Sequence, residues 1–393
     1  MERHQRRLPG RPGRGLLVLI AALFAASCTA PPGGAAGAPP ALLVLAAPAG
    51  TLARLRPGGG GPEAVIRVPA GATQVLAAPG GGALVLPAPG ARPSQVTRVA
   101  RTATGWEAQP LELERGAVVS HLAVDGQWAV AAYRVAATAD AADPRGRCRL
   151  VLVDLGSGAV RAGHPVCAPG EEVVSLALGA GRAGRPVAYV GLWRLPGPGA
   201  GPDAGQSGGR IVAVDPAGGQ TLRVAAADAV PAGLAVVGAW AGAGPAVLCA
   251  CGAAAAEALQ RDGLWDGVGR WQALALDAES LQPLGAVPLA ARPEWLVAAP
   301  DGSVAYGLSG GLDSGGPAVL TEVDADGARV RAVLPGRATG LAVDAAHVYV
   351  PQPDGHAIRI VARRPGGPIR TLPVGRRPAS VAVAAPDSVL GRE

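Results

Sequence analysis

Cysteine and histidine are the side chains of this chain best able to do chemistry, five of each, and their spacing sorts them. Cys249 and Cys251, in Val247-Leu-Cys-Ala-Cys251, are two residues apart in an apolar run, so they share one face of a strand with α-carbons about 7 Å apart. That is beyond easy bridging, and a pair of buried thiols is expected there, with a redox or metal site as the alternative. Cys148 stands just before the strand Arg149-Leu-Val-Leu-Val153, and Cys167 ends the strand that follows the turn at Leu155-Gly-Ser-Gly158. Near symmetry about one hairpin should place these two opposite each other, as a disulfide. His121, His164, His347 and His356 have no second His or Cys at metal-ligand spacing. Asp324-Ala-Asp326-Gly begins like a calcium loop but lacks the third acidic position and the distant Glu, so it reads as a hairpin turn. The glycine run between Pro57 and Pro62 leads into a strand and not a helix, which makes it a poor phosphate cradle. No serine sits in a nucleophile elbow. No catalytic constellation, metal site or cofactor is expected.

Cys28 belongs to a different pattern. Before it runs an arginine-rich segment with Arg3, Arg6, Arg7, Arg11 and Arg14, then an apolar stretch of about 11 residues from Leu16, then Ala25-Ala26-Ser27. The stretch is too short to span a bilayer of about 30 Å. Small residues ahead of a cysteine are what a signal peptidase accepts, and the junction closely resembles the lipobox of bacterial lipoproteins. The resemblance implies cleavage after Ser27, lipidation of Cys28, and an exported domain anchored in the cell membrane or outer membrane. Residues 29–40, rich in Pro, Gly and Ala with no apolar periodicity, read as a tether. The expected organisation is therefore a signal peptide at 1–27, a tether at 28–40 and a folded domain at 41–393.

The formal charge of +6 is misleading, because the leader accounts for four of those six charges. A nearly neutral mature chain without a basic, aromatic-studded stripe is not built for nucleic acid. Lys and Asn are absent while Ala, Gly, Pro and Arg abound, a pattern that GC-rich coding explains without appeal to function.

The elements that must carry these residues repeat. Four segments close with an apolar strand, an Asp and a short turn, at Asp154, Asp215, Asp277 and Asp324. Between them recurs an alternating strand, a turn and another strand, as in Trp295-Leu-Val-Ala-Ala-Pro-Asp-Gly-Ser-Val-Ala-Tyr-Gly307. Two hairpins per unit make a four-stranded meander, and whole units fall at about 73–113, 118–167, 173–226, 232–289, 293–334 and 338–373. The tail Ala379 to Ala384 matches the first strand of a unit, and Ala41 to Val68 supplies three more. This predicts an all-β chain, a seven-bladed beta-propeller of antiparallel blades closed by pairing the N- and C-terminal strands. The stretches Leu372-Pro-Val-Gly-Arg-Arg-Pro-Ala-Ser-Val-Ala-Val-Ala-Ala-Pro-Asp387 and Ala291 to Gly302 resemble YVTN-type extracytoplasmic propellers. Val214-Asp-Pro-Ala-Gly-Gly219 is similar to quinoprotein-like propeller repeats, but the Trp those carry after the turn is missing here, so no quinone is expected.

In a meander, the second-to-third-strand connections and the links between blades share one end. The expansions Ala136 to Gly146, Leu195 to Gly209, Gly252 to Gly269 and Ser309 to Gly316 all fall at second-to-third positions, so they should crowd one face. Loops on a rigid scaffold are where binding residues gather. The candidates on that face are Trp265 and Asp266, with Glu171, Glu172, Arg292, Arg337, Arg376 and Arg377 from the links between blades. The expectation is a non-catalytic domain that binds a protein or small-molecule ligand there. A lactonase-like hydrolase and a pure envelope-assembly scaffold are the alternatives.

Overall fold

The computed structural model describes residues 40–384 outside 47–48, 59, 89–94, 112, 115, 136–146, 162, 182–184, 195–207, 228, 254–270 and 311–315, together with Leu23–Phe24. From Ala41 onwards the apolar runs named above become strands, and the strands assemble into seven four-stranded antiparallel blades around a ring. Blade one joins Ala41–Ala46, Thr51–Leu55 and Ala64–Arg67 to Ser380–Ala384, which lies innermost. Blades two to seven begin at the innermost strands Gln74–Ala77, Ala117–Asp125, Glu171–Ala180, Ala229–Val237, Trp295–Ala298 and Ala342–Val343. Their outer strands are Gly105–Pro110, His164–Pro165, Gln220–Ala227, Pro283–Leu289, Gly327–Leu334 and Ile369–Pro373. Leu23–Phe24 also runs parallel to Ser175 and Leu176 on the inner edge of blade four.

The turns form because an aspartate at each hairpin entrance takes up backbone donors that would otherwise be orphaned. Asp154 Oδ1 accepts from the amide of Gly156 at 2.8 Å, Asp215 from Ala217 at 2.9 Å, Asp277 from Ser280 at 2.7 Å, and Asp324 from Asp326 and Gly327 at 2.9 and 3.0 Å. The same device recurs at the first hairpins of blades six and seven, through Asp301 and Asp344. Asp324-Ala-Asp326-Gly is thus a hairpin cap, held further by Arg329 at 3.1 Å from Asp324.

The core lies between blades and not at the axis. In Ala41–Ala46 all six residues are buried: Leu43 and Leu45 pack with Val75 and Val85 of blade two, while Leu42 and Val44 pack with Tyr349 and Ile358 of blade seven. A strand buried on both faces reads as a continuous apolar run, which is how this segment reads. Polar contacts between neighbours add register. Ser380 Oγ accepts the Val75 amide at 3.2 Å, Ser175 Oγ donates to the Pro231 carbonyl at 2.6 Å, and Thr339 Oγ1 donates to the Pro378 carbonyl at 3.2 Å. The Ser175 contact needs Gly191 beside it, since a Cβ there would sit 2.1 Å from Ser175 Oγ.

The protein's four tyrosines all occupy second strands, in blades three, four, six and seven, and each is buried with its hydroxyl bonded. Tyr189 donates across the blade boundary to the Ala278 carbonyl at 2.8 Å, Tyr133 to Glu114 at 2.8 Å, Tyr306 to Glu322 at 2.9 Å and Tyr349 to Asp344 at 2.5 Å.

Ring closure is antiparallel, with Leu42 facing Val383 and Val44 facing Val381, and the Ala379 amide donates to Leu45 at 2.7 Å. Truncation after Arg377 would remove a strand whose Val381, Ala382 and Ala384 are buried, and would open the inner edge of Ala41–Ala46. Thermal denaturation of that variant should show a midpoint lowered by more than about 10 °C, or no cooperative transition; a melt within a few degrees of the intact chain would contradict closure by this strand.

Candidate functional site

All four long expansions fall between second and third strands, of blades three, four, five and six, and the strand ends that flank them lie at the same end of the ring as the links between blades. Trp265 and Asp266 lie outside the described residues, as does Cys28. The remaining candidates divide into a spent group and an exposed group.

Glu171 and Glu172 open the innermost strand of blade four, and successive strand residues point to opposite faces. Glu171 turns onto its own blade, where Arg210 grips it with two bonds, Nε to Oε1 at 2.9 Å and Nη2 to Oε2 at 2.6 Å, while the Ala168 amide reaches Oε2 at 2.7 Å. Glu172 turns onto blade three and meets Arg134 Nη2 at 2.7 Å. With side chains only 8% and 11% exposed, both carboxylates are committed to holding the scaffold. The sequence offers both as candidates for the binding face; the structure pairs each with a guanidinium from a strand far away in sequence.

The arginines behave otherwise. Arg292, Arg337, Arg376 and Arg377 occupy the three successive links from blade five round to blade one, and all four are exposed. None of Arg337, Arg376 and Arg377 has an ion pair among the described residues. Thr339 ties the second of these links to the third through Pro378, so the arc is structurally continuous. At its far end the Arg292 guanidinium lies 5.3 Å from the centre of the Trp271 ring, at the point where the blade-five insertion re-enters the sheet.

The seam between blades three and four collects the titratable groups. Arg149 faces Pro165 and Leu150 faces His164, so the ladder puts Val166, and not Cys167, opposite Cys148. The expected facing is off by one residue. The strand ends at Pro165, the Val166 amide still bonds to the Cys148 carbonyl, and Cys167 packs in side-chain contact with Cys148. Both are free thiols here. Contact with Cys167, opposed by burial and reinforced by the Arg134 guanidinium, draws the Cys148 thiol down to about 7, while contact with Cys148 and burial push Cys167 well up. Cys249 and Cys251 are also free and buried, with sulfurs 2.8 Å apart. Their side chains lean together across a backbone spacing that alone would keep the sulfurs apart, and burial raises Cys249 far above its ordinary value.

The histidines stay scattered. His121 is wholly buried on the innermost strand of blade three; His164 lies on that blade's outer strand, His347 beside Asp344 in blade seven, and His356 in an exposed turn. Among the described residues no group of three or more His, Cys, Asp or Glu is placed to hold a metal ion.

No protein-family model and no curated protein matches the chain. Solved structures do. A functionally unknown protein from Desulfotomaculum acetoxidans matches with a TM-score of 0.57 at 10% identity, covering 88% of this chain and 99% of that one. The periplasmic gluconolactonase PpgL of Pseudomonas aeruginosa matches at 0.53 and 15% identity, covering 88% and 99%. Apo AztD from Citrobacter koseri matches at 0.50 and 12% identity, covering 88% and 98%. Similarity at this level establishes the propeller fold and leaves the site to be read from this chain's own residues.

His121 makes the seam pH-sensitive. Burial, moderated by a bond to the Val174 backbone and aided by nearby Arg134, lowers its pKa from 6.5 to about 4. The unfolded chain therefore takes up this proton first, and the neutral-imidazole contribution, complete above pH 6.5, drains away as pH falls towards 4. Between pH 7 and 4.5 the loss should be about 2–3 kcal/mol. Urea midpoints across that window should fall with a slope that His121→Gln flattens; equal slopes in the two proteins would rule His121 out as the sensor.

Proposed function

We propose that this protein is an exported lipoprotein whose propeller binds a partner or ligand bearing acidic groups at the long-loop face, without chemically transforming it. The observation that carries the reading is the arc of Arg292, Arg337, Arg376 and Arg377. Four cations stay exposed on three adjacent links, while Glu171 and Glu172 of the same face are internally neutralised by Arg210 and Arg134. Guanidiniums in such an arc offer forked donors that match carboxylates, and the Arg292–Trp271 pair adds a flat apolar edge. The links are short and tied to the scaffold, so little ordering is needed on binding.

Export and anchoring are supported by the Arg-rich start, the short apolar run and Ala25-Ala26-Ser27-Cys28. The similarity of the fold to a periplasmic gluconolactonase keeps a hydrolase in view. Binding is favoured over it because the described acids and histidines are paired, buried or dispersed over different blades.

Two measurements test the reading. A polyglutamate probe should bind the isolated protein with an affinity that falls as salt rises, and Arg376→Glu with Arg377→Glu should weaken it about tenfold or more; unchanged binding would remove the arc from the site. In cells, Cys28→Ser should shift the protein out of the membrane fraction, and detergent-dependent partitioning of that variant would refute the lipid anchor.

A further inference from the structure

We propose that Cys148 and Cys167 form a reversible thiol–disulfide exchange site, in which external thiols reach Cys167 and the sulfur released is Cys148, held beside Arg134. This is independent of the arginine arc and adds a redox chemistry to the same end of the ring.

The asymmetry of the pair carries the inference. Cys148 is 3% exposed, whereas Cys167 is partly open to solvent beyond the end of its strand. Arg134 is the direct cross-strand partner of Cys148, and its guanidinium is fixed at that end of the strand by Glu172 at 2.7 Å. On its other side Cys148 Sγ lies 3.5 Å from the Glu171 carbonyl, whose carboxylate is tied away by Arg210. The groups around the pair are therefore Arg134, Glu171, Glu172, Arg210 and, deeper in the seam, His121. Of the two sulfurs, Cys148 is the one bonded to the Arg134 guanidinium, while at Cys167 the Glu171 charge, partly offset by Arg134, disfavours an anion. Cys249 and Cys251 offer the contrast, since their surroundings are an apolar core.

The step balances as an exchange between thiols and disulfides. A thiolate from a small-molecule or protein thiol attacks Cys167 Sγ of the disulfide. A mixed disulfide forms on Cys167, the bond between Cys148 and Cys167 breaks, and its electron pair leaves on Cys148 as a thiolate beside Arg134. A second thiol then attacks the mixed disulfide at the external sulfur. The products are the protein dithiol and an external disulfide, with the protons of the two thiols ending on Cys148 and Cys167. Oxidation runs the same path backwards, with an external disulfide as oxidant.

Equilibration of the purified protein with glutathione and its disulfide, followed by peptide mapping, tests this. The Cys148–Cys167 bond should form and break with the glutathione ratio, and Cys148→Ser should trap glutathione on Cys167. Arg134→Gln should make the bond about tenfold harder to reduce, because the leaving thiolate loses its cation. Glu172→Gln should shift the midpoint the opposite way, since the guanidinium is no longer shared. A merely structural disturbance would move both variants in the same direction. Alkylation of Cys249 and Cys251 reports unfolding, and if Arg134→Gln unfolds, the sign of the Glu172→Gln shift decides. A pair locked in one redox state at every ratio, glutathione trapped on no thiol of Cys148→Ser, or a Glu172→Gln shift towards harder reduction would each overturn the proposal.

Discussion

The ring exists because Ser380–Ala384 pairs with Ala41–Ala46, and every blade's stability depends on that contact. A four-stranded blade cannot bury both its faces alone, so it borrows each neighbour's face as its core, and an array with two ends leaves two faces wet. Building one blade from both termini makes opening the ring equivalent to tearing out an innermost strand. The all-buried alternation of Ala41–Ala46, with one side on blade two and the other on blade seven, is the local expression of that global constraint.

Closure alone would leave blades free to slide, and polar contacts at the boundaries suppress this. Serines and a threonine on or beside the innermost strands of blades one, four and seven reach the next blade, and Tyr189 bonds to the Ala278 turn. Towards the outer part of the ring, Arg363 of blade seven grips Asp301 of blade six at 2.8 Å. Ser380, Ser175 and Tyr189 are buried polar groups whose partners belong to another blade, so a displaced blade would leave them unsatisfied. The result is a rigid frame whose variation is confined to one end.

At that end the frame decides which charges are free. Glu171 and Glu172 stand where blades three and four meet, within reach of guanidiniums that need a partner because they are themselves about two-thirds covered. From blade five round to blade one the links carry exposed arginines, of which Arg337, Arg376 and Arg377 have no ion pair among the described residues. The same seam that neutralises the acids holds the Cys148 thiol against Arg134, which is why one corner of the ring serves structure and offers reactivity together.

The sequence by itself determined the all-β class, the number of blades, the hairpin aspartates, the closing strand and the strand connections that carry the insertions. These are short-range matters: side-chain period two, an aspartate accepting from amides two and three residues on, and a repeating apolar unit that cannot fold alone. Only the tertiary structure decided what each rim side chain does. Glu171 and Arg210 are 39 residues apart, and nothing in the spacing of either shows that a strand of blade four brings them together. The one-residue offset that faces Val166 to Cys148 depends on where the outer strand of blade three ends. The four hydroxyl bonds of the tyrosines were equally invisible, although their common place in second strands was a signal that the repeat alignment could have exposed. Ion pairs and buried hydroxyl bonds act over a few ångströms, and sequence carries distances along the chain; where blades meet, only their packing converts one into the other.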